Sequence, residues 1–230
     1  MKAWFFFFLL ILFSLQGWAQ HEKGFLSISS GPSFPIGKYS STELNGGSFT
    51  TTGITMSVEG VWFFTNHFGV GVEAGYQQHP VDVSALATAK VNADPFLSHV
   101  VIRSDPFLVM HAAAGFHTRW YLNTKWSVTG KIMAGMLWAT TPYQLYKPTY
   151  YIIGPNFYEI TPSRDQKIFV VPGLGVQYKI NRCLALKLET ELVSRTMKFG
   201  FETSEGIRYD QKQVSFINTM AGLVILLHKP

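Results

Sequence analysis

The charged residues of this 230-residue chain could do chemistry only in company. Read at a period of two residues, Glu59, Glu73, His111, His117, Arg119, Lys131, Gln177, Lys179, Lys187, Glu189 and Glu191 all fall opposite an apolar face. Both signs are present, so this face can form ion pairs, pass protons or small ions, or close into a satisfied polar interior. His111 and His117 invite a metal site, but in a strand their spacing places them roughly 20 Å apart, too far to share one ion. Ser98 and Ser104, with His79 and His99 nearby, invite a hydrolase. Neither serine sits in a G-x-S-x-G elbow, so no catalytic group is assigned. No metal or cofactor is expected. A second constellation is aromatic: "TTPYQLYKPTYYIIGPNFYEITP" carries Tyr143, Tyr146, Tyr150, Tyr151, Phe157 and Tyr158 among prolines. That composition suits rigid amphipathic contacts with a sugar or a protein, or a hairpin whose rings pack on one another.

The elements that position these residues alternate. In "CLALKLETEL", Leu184, Leu186, Leu188 and Leu192 share one face while Ala185, Lys187, Glu189 and Glu191 share the other. "KWSVTGKIMAGMLW" sets Trp126, Val128, Ile132, Ala134, Met136 and Trp138 against Lys125, Ser127, Thr129 and Lys131. "KIFVVPGLGVQYKI" sets Ile168, Val170, Leu174, Val176, Tyr178 and Ile180 against Gly173, Gly175, Gln177 and Lys179. A sandwich would alternate too, and the connections decide between them. Short breaks at 65–67, 123–124 and 181–182 are tight hairpins, and long segments lie between them. Short turns at one end and long loops at the other are the pattern of an up-and-down transmembrane barrel.

Eight strands are expected, at 24–37, 53–64, 68–78, 107–122, 125–139, 167–180, 183–199 and 213–228, with long loops at 38–52, 79–106, 140–166 and 200–212. Trp62, Phe64, Phe68, Trp120 and Trp126 gather beside the short turns as an aromatic girdle, and Tyr76, Phe107 and Trp138 form the opposite one. Phe63 then points inward, and Gly69, Gly71 and Gly75 leave room on the inner face.

Residues 1–19 read as a cleaved signal peptide, with Lys2, an apolar run from Ala3 to Phe13 and small residues before the cut after Ala19, leaving 20–230 as one domain. The formal charge of +5 includes Lys2, and the charges are scattered, so no nucleic-acid partner is expected. Cys183 is the only cysteine, so no internal disulfide can form.

The strand "GFLSISSGPSFPIGKY", the hairpin "WFFTNHFGVGVEAGY" and the closing "VSFINTMAGLVILL" resemble the small outer-membrane β-barrel proteins of Gram-negative envelopes, the porin-like or OmpA-like eight-stranded barrel domain. The resemblance implies an all-β, eight-stranded antiparallel barrel in the outer membrane with both termini periplasmic. It also implies contact with outer-membrane lipids, delivery by periplasmic chaperones and insertion by the outer-membrane assembly machinery. The expected function is non-enzymatic: a closed polar lumen, and a structural or surface-recognition role through the long loops toward a surface ligand or an envelope protein. The alternatives are a lipid-modifying enzyme and a narrow small-solute channel.

Overall fold

A computed structural model describes residues 22–152, 154–203 and 206–228, so the signal peptide expected at 1–19 lies outside the described residues. In chain order come β1 (Glu22–Pro35), a 3-10 turn (Gly37–Tyr39), β2 (Gly53–Phe63), β3 (Phe68–His79), a helix (Val83–Ala93), β4 (Leu97–Ser104), β5 (Phe107–Tyr121) and β6 (Trp126–Thr140). They are followed by β7 (Gln144–Tyr150), β8 (Tyr158–Ile160), β9 (Arg164–Lys179), β10 (Leu184–Thr203) and β11 (Gly206–His228). Eight of these strands close a ring in the order β1-β11-β10-β9-β6-β5-β3-β2, and β4, β7 and β8 form a separate three-stranded sheet. Every ring neighbour is antiparallel, and the ring shuts where β1 meets β11, with Leu26 opposite Ile225 and Ile28 opposite Leu223. Except along the upper part of the β9–β10 boundary, where the ladder ends at Gly173 opposite Glu191, no edge is left on the closed sheet, which is what a bilayer demands of strands.

The alternation has the expected sense. On β6, Ser127, Thr129 and Lys131 are buried in the lumen, while Trp126, Ile132 and Trp138 are exposed outside. The outer surface of β1, β2, β3, β5, β9 and β10 is likewise a belt of exposed Leu, Ile, Val, Met and Phe, a surface that water would not tolerate and lipid covers. Trp126 and Trp138 are twelve residues apart on one strand. With the usual barrel tilt, that separation corresponds to about 30 Å along the axis, the thickness of a hydrocarbon core. At the lower girdle Trp120 stacks on His67 at 4.9 Å and Trp126 leans on Tyr178 at 4.8 Å.

The short turns are built by side chains. Asn123 Oδ1 accepts the N–H groups of Lys125 and Trp126 at 2.9 and 2.8 Å, and Asn181 Oδ1 accepts those of Cys183 and Leu184 at 2.9 and 2.8 Å. In the first turn Thr65 takes the part, accepting from His67 and Phe68 at 3.3 and 2.9 Å.

The other end departs from expectation. The segment 79–106 is no plain loop: His79 still belongs to β3, and the helix and β4 follow. Segment 140–166 contains β7 and β8. Of the loop expected at 200–212, residues 200–203 and 206–212 are strand, since β10 and β11 stay paired up to Thr203 opposite Gly206. Phe107, assigned above to the upper girdle, is 2 % exposed and stacks edge-on to Tyr39 at 5.5 Å inside the barrel. Its position explains this, because the outward residues of β5 are Met110, Phe116 and Trp120, and Phe107 has the opposite parity. Lys125, read above as inward-facing, lies exposed in the turn.

Candidate functional site

The lumen is filled in three layers. At the short-turn end Phe25 and Phe63 meet at 6.1 Å with Val61, Val224 and Leu226 around them, and the Arg119 guanidinium lies 4.1 Å from the Phe63 ring centre. The middle layer is ionic. Lys131 Nζ reaches Glu59 Oε1 at 3.3 Å, Glu73 Oε2 at 2.5 Å, Glu191 Oε1 at 2.5 Å, and Glu189 as well. Lys187 Nζ reaches Glu59 Oε2 at 2.5 Å and also pairs with Glu189. His111 Nε2 lies 3.1 Å from Glu73, and His117 Nε2 lies 3.5 Å from Glu59. These residues come from β2, β3, β5, β6 and β10, so only ring closure brings them together. The two histidines face different carboxylates, and among the described residues no group of three or more His, Cys, Asp or Glu could hold a metal ion.

Above the ions the lumen becomes apolar, packed by Met133, Phe169, Met197, Phe199 and Phe216 and lidded by Tyr39 from the 3-10 turn. The polar lumen is therefore a band, since β5, β9, β10 and β11 all switch to large apolar inward residues higher up. Burial without a charged partner raises the pKa of Tyr39, which stays a neutral phenol.

Two inward glycines are required by the histidines. A Cβ at Gly75 would meet His111 Cε1 at 2.2 Å, and one at Gly71 would meet His117 Nε2 at 2.8 Å. Gly75→Ala should push His111 off Glu73 and lower the unfolding free energy by about 1 to 3 kcal/mol, measured by urea titration in lipid vesicles. An unchanged midpoint would show that the ring moves aside freely.

The serines and histidines offered as a hydrolase part company. Ser98 Oγ donates to the Thr149 carbonyl at 2.8 Å, Ser104 Oγ donates to the Asp105 carbonyl at 2.9 Å, and His99 is exposed. His79 instead hydrogen-bonds Ser33 at 2.8 Å, and both are fully buried beside Tyr39 and Phe216. This pair has the spacing of a nucleophile and its base but lies sealed in packed side chains.

The long-connection end carries a cap with a core of its own: Phe49, Leu86, Leu97, Val100, Ile102 and Tyr146. Its helix starts where Asp82 Oδ1 accepts the Ala85 N–H at 2.9 Å, and runs through the alanine-rich "VSALATAKVNA". Phe49 adopts a left-handed φ of 54°, which costs about 1 kcal/mol or more for a bulky residue. Its N–H donates to the Ser41 carbonyl at 3.1 Å and its own carbonyl accepts from Asp82 at 2.7 Å, so two loops hold it there.

The aromatic residues of the third long segment divide. Tyr146 is 2 % exposed, stacks on Tyr158 at 4.6 Å and has the Lys90 ammonium 5.6 Å from its ring centre, so it is a cap-core residue and not a contact surface. Burial raises its pKa. Tyr150 and Tyr158 are half-buried against the same core. Tyr143 donates to Glu159, which raises the Tyr143 pKa. Tyr151 and Phe157 stand exposed, joined by Phe96 from the segment before β4, which sequence reasoning passed over. Between the cap and the β10–β11 hairpin opens a cleft of about 640 Å³, walled by Phe49, Leu86, Phe107 and Phe201 and dotted with Lys90, Glu202 and Lys212.

No protein-family model and no curated protein matches this sequence. Solved structures do. The crystal structure of Neisserial surface protein A aligns with a TM-score of 0.54 at 10% identity, over 89% of this chain and 97% of that one. The outer membrane protein OprG of Pseudomonas aeruginosa aligns at 0.49 with 11% identity, over 91% and 98% of the two chains. Ail, the attachment invasion locus protein of Yersinia pestis, aligns at 0.46 with 13% identity, over 89% and 99%. The first alignment shows a shared fold. With the closed ring and the apolar belt, this chain has the fold of a small membrane-spanning β-barrel, the fold it shares with Neisserial surface protein A.

Proposed function

We propose that this protein is a non-enzymatic outer-membrane scaffold that presents a recognition surface outside the cell. One observation carries the reading: the barrel is filled from end to end, while its long-connection end supports a separately cored cap with an open cleft. A filled barrel suits anchoring, and a cored cap holds a surface in one shape. Both termini and the short turns lie in the periplasm in this reading, so the cap faces outward. Outer-membrane lipids surround the belt, and periplasmic chaperones and the assembly machinery bring the chain there. The ligand is a sugar or protein surface met by Tyr151, Phe157 and Phe96 at the rim, with Tyr143, Tyr146, Tyr150 and Tyr158 as their support.

Two measurements test this. Purified folded barrel in planar bilayers should give no stable unitary current, and such currents would replace the scaffold with a channel. A photo-crosslinking residue at Tyr151 in intact cells should capture a discrete partner or a surface glycan, and Phe157→Ser should weaken capture while heat-resistant gel mobility persists. Capture that is absent, or indifferent to Phe157, removes the recognition role. Lipid turnover abolished by Ser33→Ala would instead assign an enzyme to the buried Ser33–His79 pair.

A further inference from the structure

The wall of the barrel is incomplete at one place. The ladder between β9 and β10 stops at Gly173 opposite Glu191. Yet β9 stays paired to β6 as far as Arg164, and β10 stays paired to β11 as far as Thr203. Residues 164–172 and 192–203 therefore border a seam without a ladder, and Pro172, which has no N–H to offer, stands at its lower edge. At the top of the seam the Lys198 N–H donates to Asp165 Oδ2 at 2.7 Å. On the lumen side Phe169, Val171, Val193 and Met197 close it.

Two features of the seam's outer side point to a ligand. The first is a groove of about 710 Å³ at its lower end, with Phe116, Ile132, Leu174 and Leu192 as walls and Gly130 and Thr190 leaving its floor shallow. The second is charge. Arg195 lies on the inward face of β10 between Val193 and Met197 and opposite Val214, all fully buried, yet it is itself exposed. Its side chain can reach the surface only through the seam. Lys167, on the facing strand, shares the inward parity of Phe169 and Val171 but is only half-buried, and Arg164 and Lys198 stand exposed at the top. Among the described residues Arg164, Lys167 and Arg195 make no ion pair. Lys167 is at the level of lipid headgroups, because Trp138 of the upper girdle donates its indole N–H to the adjacent Gln166 at 3.0 Å, and Arg195, rooted a few residues lower on the facing strand, is long enough to extend toward that level.

We propose that the open seam between β9 and β10 binds a phosphate-bearing glycolipid of the outer leaflet, its phosphates held by Arg195 and Lys167 and one acyl chain laid in the groove that ends at Gly130. Four cations around one opening match a headgroup with more than one phosphate, and arginine takes phosphate in a two-pronged contact. The alkyl chain covers the apolar wall that the groove exposes at the foot of the seam. The choice of leaflet rests on the outward orientation proposed above.

The test uses the folded barrel in phosphatidylcholine nanodiscs doped with bis-phosphorylated lipid A, with dephosphorylated lipid A, or with phosphatidylglycerol, the retained lipid being counted by native mass spectrometry. The phosphorylated lipid A should be retained and its dephosphorylated form should not. Because each basic residue near an anionic headgroup changes partition about fivefold, Lys167→Gln with Arg195→Gln should cut retention about thirtyfold. Gly130→Leu, which fills the groove on the lipid face and leaves every charge in place, should also reduce it and guards against a folding defect in the charge variant. Equal retention of both lipid A forms, or retention unchanged in both variants, overturns the site. Retention of phosphatidylglycerol in preference to lipid A also overturns the assignment and means that the seam faces the inner leaflet, so that the orientation has failed and not the seam.

Discussion

Lys131→Met should cost the folded barrel about 3 to 5 kcal/mol, the usual penalty for removing one partner of a buried ion pair. Lys131 is the cation that reaches all four carboxylates of the middle layer, Glu59, Glu73, Glu189 and Glu191, and each of these is buried. Without it Lys187 is the lysine left at that set, reaching Glu59 and Glu189, while Glu73 keeps only its contact with His111 and Glu191 loses its lysine. Methionine is one atom shorter but nearly equal in volume, so the loss is chiefly one of charge. The size of the penalty comes from the acids left behind, which gives the prediction its second half. Adding Glu73→Gln and Glu191→Gln to Lys131→Met should recover more than half of the lost stability, a non-additivity expected only of groups in one network. Urea unfolding in phosphatidylcholine vesicles, followed by tryptophan fluorescence, measures both. If the single variant unfolds at the parental urea concentration, the ion cluster does not hold the barrel together.

One residue further along the same strand the sign reverses. Ile132→Arg should cost about 2 to 4 kcal/mol, because the new guanidinium would enter lipid near the bilayer midplane. Ile132 lies halfway between Trp126 and Trp138, and its side chain is 64% exposed on the outer face. Ile132→Ala should cost clearly less, since lipid replaces the lost contacts. The same unfolding assay separates them, and an arginine as harmless as the alanine would mean that this face does not meet hydrocarbon. Together the two substitutions test one geometrical fact: neighbouring residues of a strand face opposite solvents, so a charge indispensable at 131 is forbidden at 132.

The alternation that makes this prediction possible is visible in the primary structure. A period of two is a local property, set by the pleat of a single strand, so the inward placement of Lys187, Glu189 and Glu191 could be read without knowing any neighbour. The short turns were legible for the same reason, because Asn123 and Asn181 bond N–H groups two and three residues ahead. The helix has local signals too, an Asp82 cap before an alanine-rich run, but it is short and lies in a long connection between strands, which by itself reads as a loop. Phe107 failed differently: its aromatic character suggested an interface, whereas its parity with His111 and His117 placed it inside.

What no local pattern contains is register between strands far apart in the chain. The sequence by itself determined that these strands alternate, that they are joined short and long in turn, and that they enclose charge of both signs. Only the tertiary structure decided that Lys131 and Glu191, sixty residues apart, meet at 2.5 Å, that Tyr146 is a core residue of a cap, and that the wall opens between β9 and β10. The physical reason is that strand periodicity costs nothing to specify locally, whereas pairing, ring closure and the filling of a lumen are settled by which side chains fit against each other once the ring has shut.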